Sequence, residues 1–238
     1  MRIDVLTLFP EVCEPYFAAS ILGRAQAAGR VAIRCHNIRD FTADPHRKVD
    51  DRPFGGGPGM VLMCQPVVDA VEAVERMSAG LATRIVLTPR GERLTQRVAH
   101  ELAGLPRLLV VAGHYEGLDE RIFALLRPRE ISIGDYVLSG GEAAALVLVD
   151  AVVRLLPGVI GDPEALAEES FKAGLLEYPQ YTRPREFRGL SAPEVLFSGD
   201  HRRIDEWRRL EAMRLTARVR PDLLQVDQMR PDLLDQKE

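Results

Sequence analysis

Lysine is nearly missing from this chain of 238 residues, occurring only at Lys48, Lys172 and Lys237. Positive charge is therefore almost all arginine, whose planar fork suits phosphates and base edges, although genome composition produces the same bias. Cysteine is scarce too. Cys13, Cys35 and Cys64 are odd in number and far apart, which fits neither a disulfide framework nor a zinc site and leaves them as small core residues. The histidines His36, His46, His100, His114 and His201 form no cluster at metal-ligand spacing. Long apolar runs are absent as well: the nearest approach, 143–156, is interrupted by Asp150 and Arg154, and the N-terminus has no basic-then-apolar secretory pattern. A soluble, cytoplasmic protein without a membrane partner is expected.

A net charge of −4 offers no global attraction to nucleic acid, so such a partner has to be argued from local charge. Between positions 181 and 220 ten arginines face six acids, a local excess of +4. A solvated helix face and an RNA-facing patch explain that run equally well.

What is present is a mixed α/β pattern. With 46% hydrophobic residues the chain can hold one substantial core, or a core and a smaller satellite domain. Short apolar runs at 3–8, 31–35, 84–87, 108–112 and 131–133 alternate with segments of helical period at 10–28, 66–77, 95–105, 118–126 and 141–156. That alternation predicts a mainly parallel sheet with helices on both faces. After Pro157-Gly158 the period is lost. The expected organisation is an α/β domain over 1–160, a flexible linker over 161–172, and a small helical domain over 173–238. The last contains a helix over 200–215, capped by Ser198 or Asp200, with Trp207 on its apolar side. The tail repeats Arg-Pro-Asp-Leu-Leu at 220–224 and 230–234, a local duplication on a frayed terminus.

The chemistry-bearing stretches are glycine-rich. Glu130-Ile131-Ser132-Ile133-Gly134-Asp135-Tyr136-Val137-Leu138-Ser139-Gly140-Gly141-Glu142 joins a strand to a helix with little titratable chemistry. Glycines there let main-chain groups approach a ligand, and Ile133, Tyr136 and Leu138 supply walls for a heteroaromatic base. A second loop, Asp50-Asp51-Arg52-Pro53-Phe54-Gly55-Gly56-Gly57-Pro58-Gly59-Met60, lacks the ending of a P-loop and the helix-opening spacing of a dinucleotide fingerprint. It reads as a polar rim able to enclose a flat substrate. His114, Tyr115 and Glu116 fall at the carboxyl end of a predicted strand, where open α/β folds place ligands. No nucleophile elbow is present. The helix from Gly141 is apolar nearly all round, with Glu142, Asp150 and Arg154 along one stripe, and such a helix needs cover on every face.

These motifs, with Thr88-Pro89-Arg90-Gly91, Gly113-His114-Tyr115-Glu116-Gly117-Leu118-Asp119-Glu120-Arg121 and Tyr181-Thr182-Arg183-Pro184, together resemble the bacterial tRNA (guanine-N1)-methyltransferase family of trefoil-knotted SPOUT enzymes. The resemblance runs from Met1 to about Leu224. It implies a homodimer, with the active site at the subunit interface, that methylates N1 of the guanosine 3′-adjacent to the anticodon (G37). The methyl donor implied is S-adenosyl-L-methionine, and the partner is tRNA rather than DNA. Thr88, Pro89, Gly91, Gly113, Tyr115, Glu116, Ile133, Gly134, Asp135, Tyr136, Val137, Leu138, Gly140, Gly141 and Glu177 would surround the donor. Asp50, Arg52, Pro58, Gly59 and Arg183 would meet the RNA. Arg154 would be catalytic, and the base would be Glu169, where the family carries aspartate; Glu168 is an adjacent competitor, and Glu177 likewise stands where aspartate is usual. Mg2+ stays open as an accessory ion. Two alternatives remain beside this reading: a ribosomal RNA methyltransferase of the same fold, and a non-catalytic RNA-binding protein.

Overall fold

The structure, a computed structural model, describes residues 1–161, 169–171 and 174–224, and it divides into two compact units, Met1–Gly161 and Asp162–Glu238. In chain order the first unit contains β1 (Arg2–Thr7), α1 (Pro10–Phe17), α2 (Ser20–Ala27), β2 (Ala32–Asn37), β3 (Asp50–Asp51), β4 (Val61–Leu62), α3 (Cys64–Arg76), β5 (Thr83–Arg93), α4 (Gln96–Ala103), β6 (Arg107–Ala112), α5 (Glu120–Leu126), β7 (Arg129–Ser132) and α6 (Glu142–Val153). Five strands form one parallel sheet in the order β2-β1-β6-β5-β7.

Alternation along the strands explains the layers. Ile3, Val5, Leu108, Val110, Ala112 and Ile85 face one side, where they pack with Phe17, Leu22, Leu102 and Leu148 from α1, α2, α4 and α6. Leu6, Leu109, Val111 and Val86 face the other side and pack with Val67, Val71 and Ile122 from α3 and α5. Because both faces are covered, the strands read as nearly continuous apolar runs, and every residue of β6 is buried. The mainly parallel sheet with helices on both faces therefore matches the expectation.

One element departs from it. The single helix expected over 10–28 is two helices, α1 and α2, separated at Ala18-Ala19, with Ser20 at a φ of +48°. The backbone doubles so closely that a Cβ on Gly23 would lie 2.2 Å from the Ala18 carbonyl oxygen. Small residues at the turn carry no periodicity signal, so the break is invisible to pattern reading.

At the amino ends of the strands, Asp4 is fully buried and accepts hydrogen bonds from Arg2 Nε at 2.8 Å and His36 Nε2 at 2.9 Å. Burial pushes its carboxyl up, but the bonds from His36 and Arg2 outweigh this and hold it at about 2. Arg107, also bonded to Asp4, donates to the Val74, Glu75 and Ser78 carbonyls at 2.7, 3.0 and 2.9 Å. The carboxyl end of α3 is thus satisfied by a side chain.

The second unit contains a short hairpin, β8 (Glu186–Phe187) with β9 (Leu190–Ser191), and the helix α7 (His201–Val219). Asp200 is the N-cap of α7, its carboxylate accepting from the Arg203 N–H at 3.2 Å. Trp207 meets Tyr181 with ring centroids 6.2 Å apart. Thr216, buried on α7, donates to the Ala212 carbonyl at 2.7 Å and accepts from the Leu176 N–H at 2.8 Å. Glu168, most of the segment expected as a linker, and the second Arg-Pro-Asp-Leu-Leu copy lie outside the described residues. Among the described residues no helix is long and apolar enough to cross a membrane.

Candidate active site

Strands β6, β5 and β7 are neighbours, so the loops that follow β6 and β7 converge with an outward bulge inside β5, and together they enclose a cavity of about 470 Å³. That volume lies within the range of small-molecule sites, and the carboxyl edge is where open α/β sheets bind ligands. Thr88 and Pro89 come from the β5 loop, Gly113, Tyr115 and Glu116 from the β6 loop, and Ile133, Gly134, Tyr136, Val137, Leu138, Gly140 and Gly141 from the β7 loop. These twelve residues were expected around the donor, and the fold brings them to one place. Gly91 and Asp135 do not line the cavity. Leu87 and Glu92 both register against Ile131, so 88–91 bulge outward and return; a Cβ on Gly91 would lie 2.4 Å from the Ile131 nitrogen. Gly91 therefore shapes the β5 loop by letting it press against β7. Asp135 pairs with Arg93 on the exposed surface.

The cavity is held by backbone contacts. Gly141 N–H donates to the Gly113 carbonyl at 2.7 Å, and His114 bridges to Gly140 in an isolated antiparallel pair. Gly141, with an ordinary φ of −80°, is the N-cap of α6. A Cβ there would lie 2.8 Å from Ala112 Cα, so crowding rather than conformation demands glycine. Beneath this junction Glu142 is buried: its Oε1 accepts from Thr7 Oγ1 at 2.6 Å, and its Oε2 lies 3.6 Å from His114 Nδ1. The His114 ring packs against Phe9 and Tyr115 with centroids 5.1 and 5.0 Å away. A buried acid at the start of an otherwise apolar helix was the available signal for this support, and neither Thr7 nor His114 could be tied to it by spacing.

Arg90, Glu120 and Phe123 also line the cavity and were not expected there. Arg90 lies over the Phe123 ring at 4.1 Å and bonds to Glu120 at 2.8 Å and Glu130 at 2.6 Å, which fixes a planar cation as one wall. Nothing in a Thr-Pro-Arg-Gly string announces those partners, which come from α5 and β7.

The second glycine loop adjoins the cavity. Glu116 N–H donates to the Met60 carbonyl at 2.9 Å, and a Cβ on Gly59 would meet Glu116 Oε1 at 2.3 Å. Asp50 and Asp51 pair with Leu62 and Val61, anchoring the loop at both ends. Arg52 and Pro58 are exposed on it. Arg154 caps the carboxyl end of α6 in the first unit. Glu169, Glu177 and Arg183 belong to the second unit, where Glu177 N–H donates to Ser170 Oγ at 3.0 Å and the Glu177 carboxylate accepts from Gln180 at 2.6 Å. This ties the Glu177 backbone to the residue following Glu169. Among the described residues no group of three His, Cys, Asp or Glu side chains is placed to hold a metal ion.

Comparison with known proteins agrees with this geometry. The family model described as tRNA (Guanine-1)-methyltransferase TrmD matches residues 1–226. A tRNA (guanine-N(1)-)-methyltransferase of Thermomicrobium roseum is 57% identical over 224 residues, covering 94% of this chain and 83% of that protein. Proteins of the same name from Moorella thermoacetica and Bacillus cereus are 54% and 53% identical, each over 94% of this chain, and covering 90% and 92% of their own lengths. Five ordered motifs, a carboxyl-edge cavity and a match of this extent lead to one conclusion: the chain belongs to the tRNA (guanine-1)-methyltransferase family.

Proposed function

We infer that this protein is a tRNA (guanine-N1)-methyltransferase that moves a methyl group from S-adenosyl-L-methionine to N1 of the guanosine 3′-adjacent to the anticodon. The observation that carries the reading is the cavity at the ends of β5, β6 and β7, floored by glycine backbone and walled by Pro89, Ile133, Tyr136 and Leu138. Flat apolar walls beside closely approaching main chain suit an adenine ring, and the Glu116 carboxylate suits a cationic amino group. When bound, the donor supplies an electrophilic methyl on a sulfonium. Glu169 takes the N1 proton, which turns a weakly nucleophilic guanine nitrogen into a competent one, and Arg154 opposes the negative charge that grows at O6. Glutamate keeps the carboxylate of the family's aspartate and adds one methylene of reach. Glu177 is assigned to the donor's amino group, and Asp50, Arg52, Pro58, Gly59 and Arg183 to the RNA.

The assembly proposed is a homodimer whose active site lies at the subunit interface, completed by the second unit of the partner. Support comes from the first unit alone: Val12 and Tyr16 on α1 and Val147 on α6 remain exposed, and Tyr16 Oη donates to Asp150 Oδ2 at 2.6 Å, joining the two helices into one surface. Mg2+ is given no binding residues in the proposal, since among the described residues no group of three His, Cys, Asp or Glu side chains is placed to hold a metal ion. A soluble cytoplasmic protein accords with the lack, among the described residues, of a helix fit to cross a membrane.

Single-turnover methylation of a tRNA with guanosine next to the anticodon tests the roles. Glu169→Ala and Arg154→Ala should each slow the step by about 10²–10⁴-fold. An inactive Glu168→Ala beside an active Glu169→Ala moves the base to Glu168. A wild type that methylates ribosomal RNA instead, or binds tRNA without methylating it, overturns the function.

A further inference from the structure

The loop over 50–60 contains a feature that donor binding does not use. Phe54 is 95% exposed, the most solvent-open of the large apolar side chains described. It precedes Gly55, Gly56 and Gly57, whose φ values are +86°, +79° and +115°. A Cβ at any of the three would meet nothing within 4 Å among the described residues, so the side-chain direction of each opens into free space. Two residues before Phe54, the exposed Arg52 side chain makes no hydrogen bond or ion pair among the described residues, while its neighbours Arg47 and Lys48 are engaged by Asp40 and Asp51. At the other end the loop is fixed to the cavity rim by the bond from Glu116 N–H to the Met60 carbonyl.

An unstacked aromatic ring and an unpaired guanidinium on a backbone of high freedom form the combination that receives single-stranded nucleic acid: the ring stacks on a base and the cation meets a phosphate. Phe54 stands five positions from Gly59, an upper reach of about 17 Å, so the ring stays within range of nucleotides next to one held at the cavity. We propose that Phe54 is a stacking platform for the nucleobase flanking the target guanosine, with Arg52 on the adjoining phosphate. The proposal rests on the tRNA methyltransferase reading and extends it to a second base site.

The test compares Phe54→Ala, Phe54→Leu and Phe54→Trp with wild type in steady-state methylation of tRNA. Phe54→Ala and Phe54→Leu should raise KM for tRNA about 5- to 50-fold with KM for the donor unchanged, and Phe54→Trp should restore it. With 2-aminopurine placed beside the target guanosine, wild type should quench its emission and Phe54→Ala should not. Arg52→Ala should lower the salt slope of tRNA binding by about one. Full rescue by leucine, unchanged KM for tRNA in Phe54→Ala, a fall in its melting temperature, or dissociation of its subunits in sedimentation would each overturn the proposal. Those results would leave the methyltransferase reading standing, whereas a wild type inactive on tRNA would remove both.

Discussion

Two glycine-rich loops of the first unit need glycine for opposite reasons. Around the cavity, Gly113, Gly140 and Gly141 are surrounded: added Cβ atoms would lie 2.7, 2.3 and 2.8 Å from Leu118, Glu142 and Ala112. In the 55–57 stretch the space is empty and the positive φ is the constraint. The first loop is a fixed mould whose backbone is pinned to β6 and α6, and the second is a free arm attached at its ends. A small, flat donor calls for the mould, since a preorganised site spends no binding energy on ordering itself. An RNA strand arriving from solvent is better met by the arm.

The sharpest way to break this contrast is Gly141→Ala. An extra methyl at the α6 N-cap must displace the helix start from β6 and weaken the 2.7 Å bond to the Gly113 carbonyl. Loss of about 3 kcal/mol of donor binding, on the order of a hundred-fold, is expected by equilibrium dialysis, in the range that overpacking costs. Gly56→Ala tests the arm. Only the positive φ opposes it, so its melting temperature should drop by the equivalent of about 1 kcal/mol, and donor affinity should stay at the wild-type value. An equal loss of donor binding in both variants would erase the distinction.

An effect seen only in acid separates both loops from the scaffold beneath them. Asp4, at the far end of the strands from the cavity, has a folded carboxyl held at about 2 against about 3.9 when unfolded. Its stabilisation is present above about pH 4 and is lost as pH falls toward 2, amounting to about 2 kcal/mol. Urea unfolding from pH 6 to pH 2.5 should show that loss in wild type, in Gly141→Ala and in Gly56→Ala alike. Asp4→Asn should be less stable at pH 6 and flatter across the range.

Much of this was legible in the sequence because the relevant signals are local. Buried parallel strands show as apolar runs, and β1, β2, β5, β6 and β7 fall where runs at 3–8, 31–35, 84–87, 108–112 and 131–133 placed them, within a few residues except for the long carboxyl extension of β5. The glycine motifs marked the cavity for the same reason. What was not legible arises from pairing between distant segments. The return of β5 past Ile131 gives Gly91 a close packing contact with β7 that its motif does not announce. The bond from Thr7 to Glu142 spans 135 positions, and the Arg90 wall depends on Glu120 and Phe123 thirty or more residues away. Likewise the turn between α1 and α2 is set by one positive φ at Ser20, which no side-chain pattern encodes.

Isothermal titration of S-adenosylhomocysteine, the demethylated donor, into wild type, Gly141→Ala and Gly56→Ala tests the central claim that a backbone mould at the ends of β5, β6 and β7 holds the methyl donor. Equal binding to wild type and Gly56→Ala, with binding to Gly141→Ala weakened about a hundred-fold, is the result expected. A folded wild type that takes up no adenosyl compound, or a Gly141→Ala protein that binds as tightly as wild type, would contradict it.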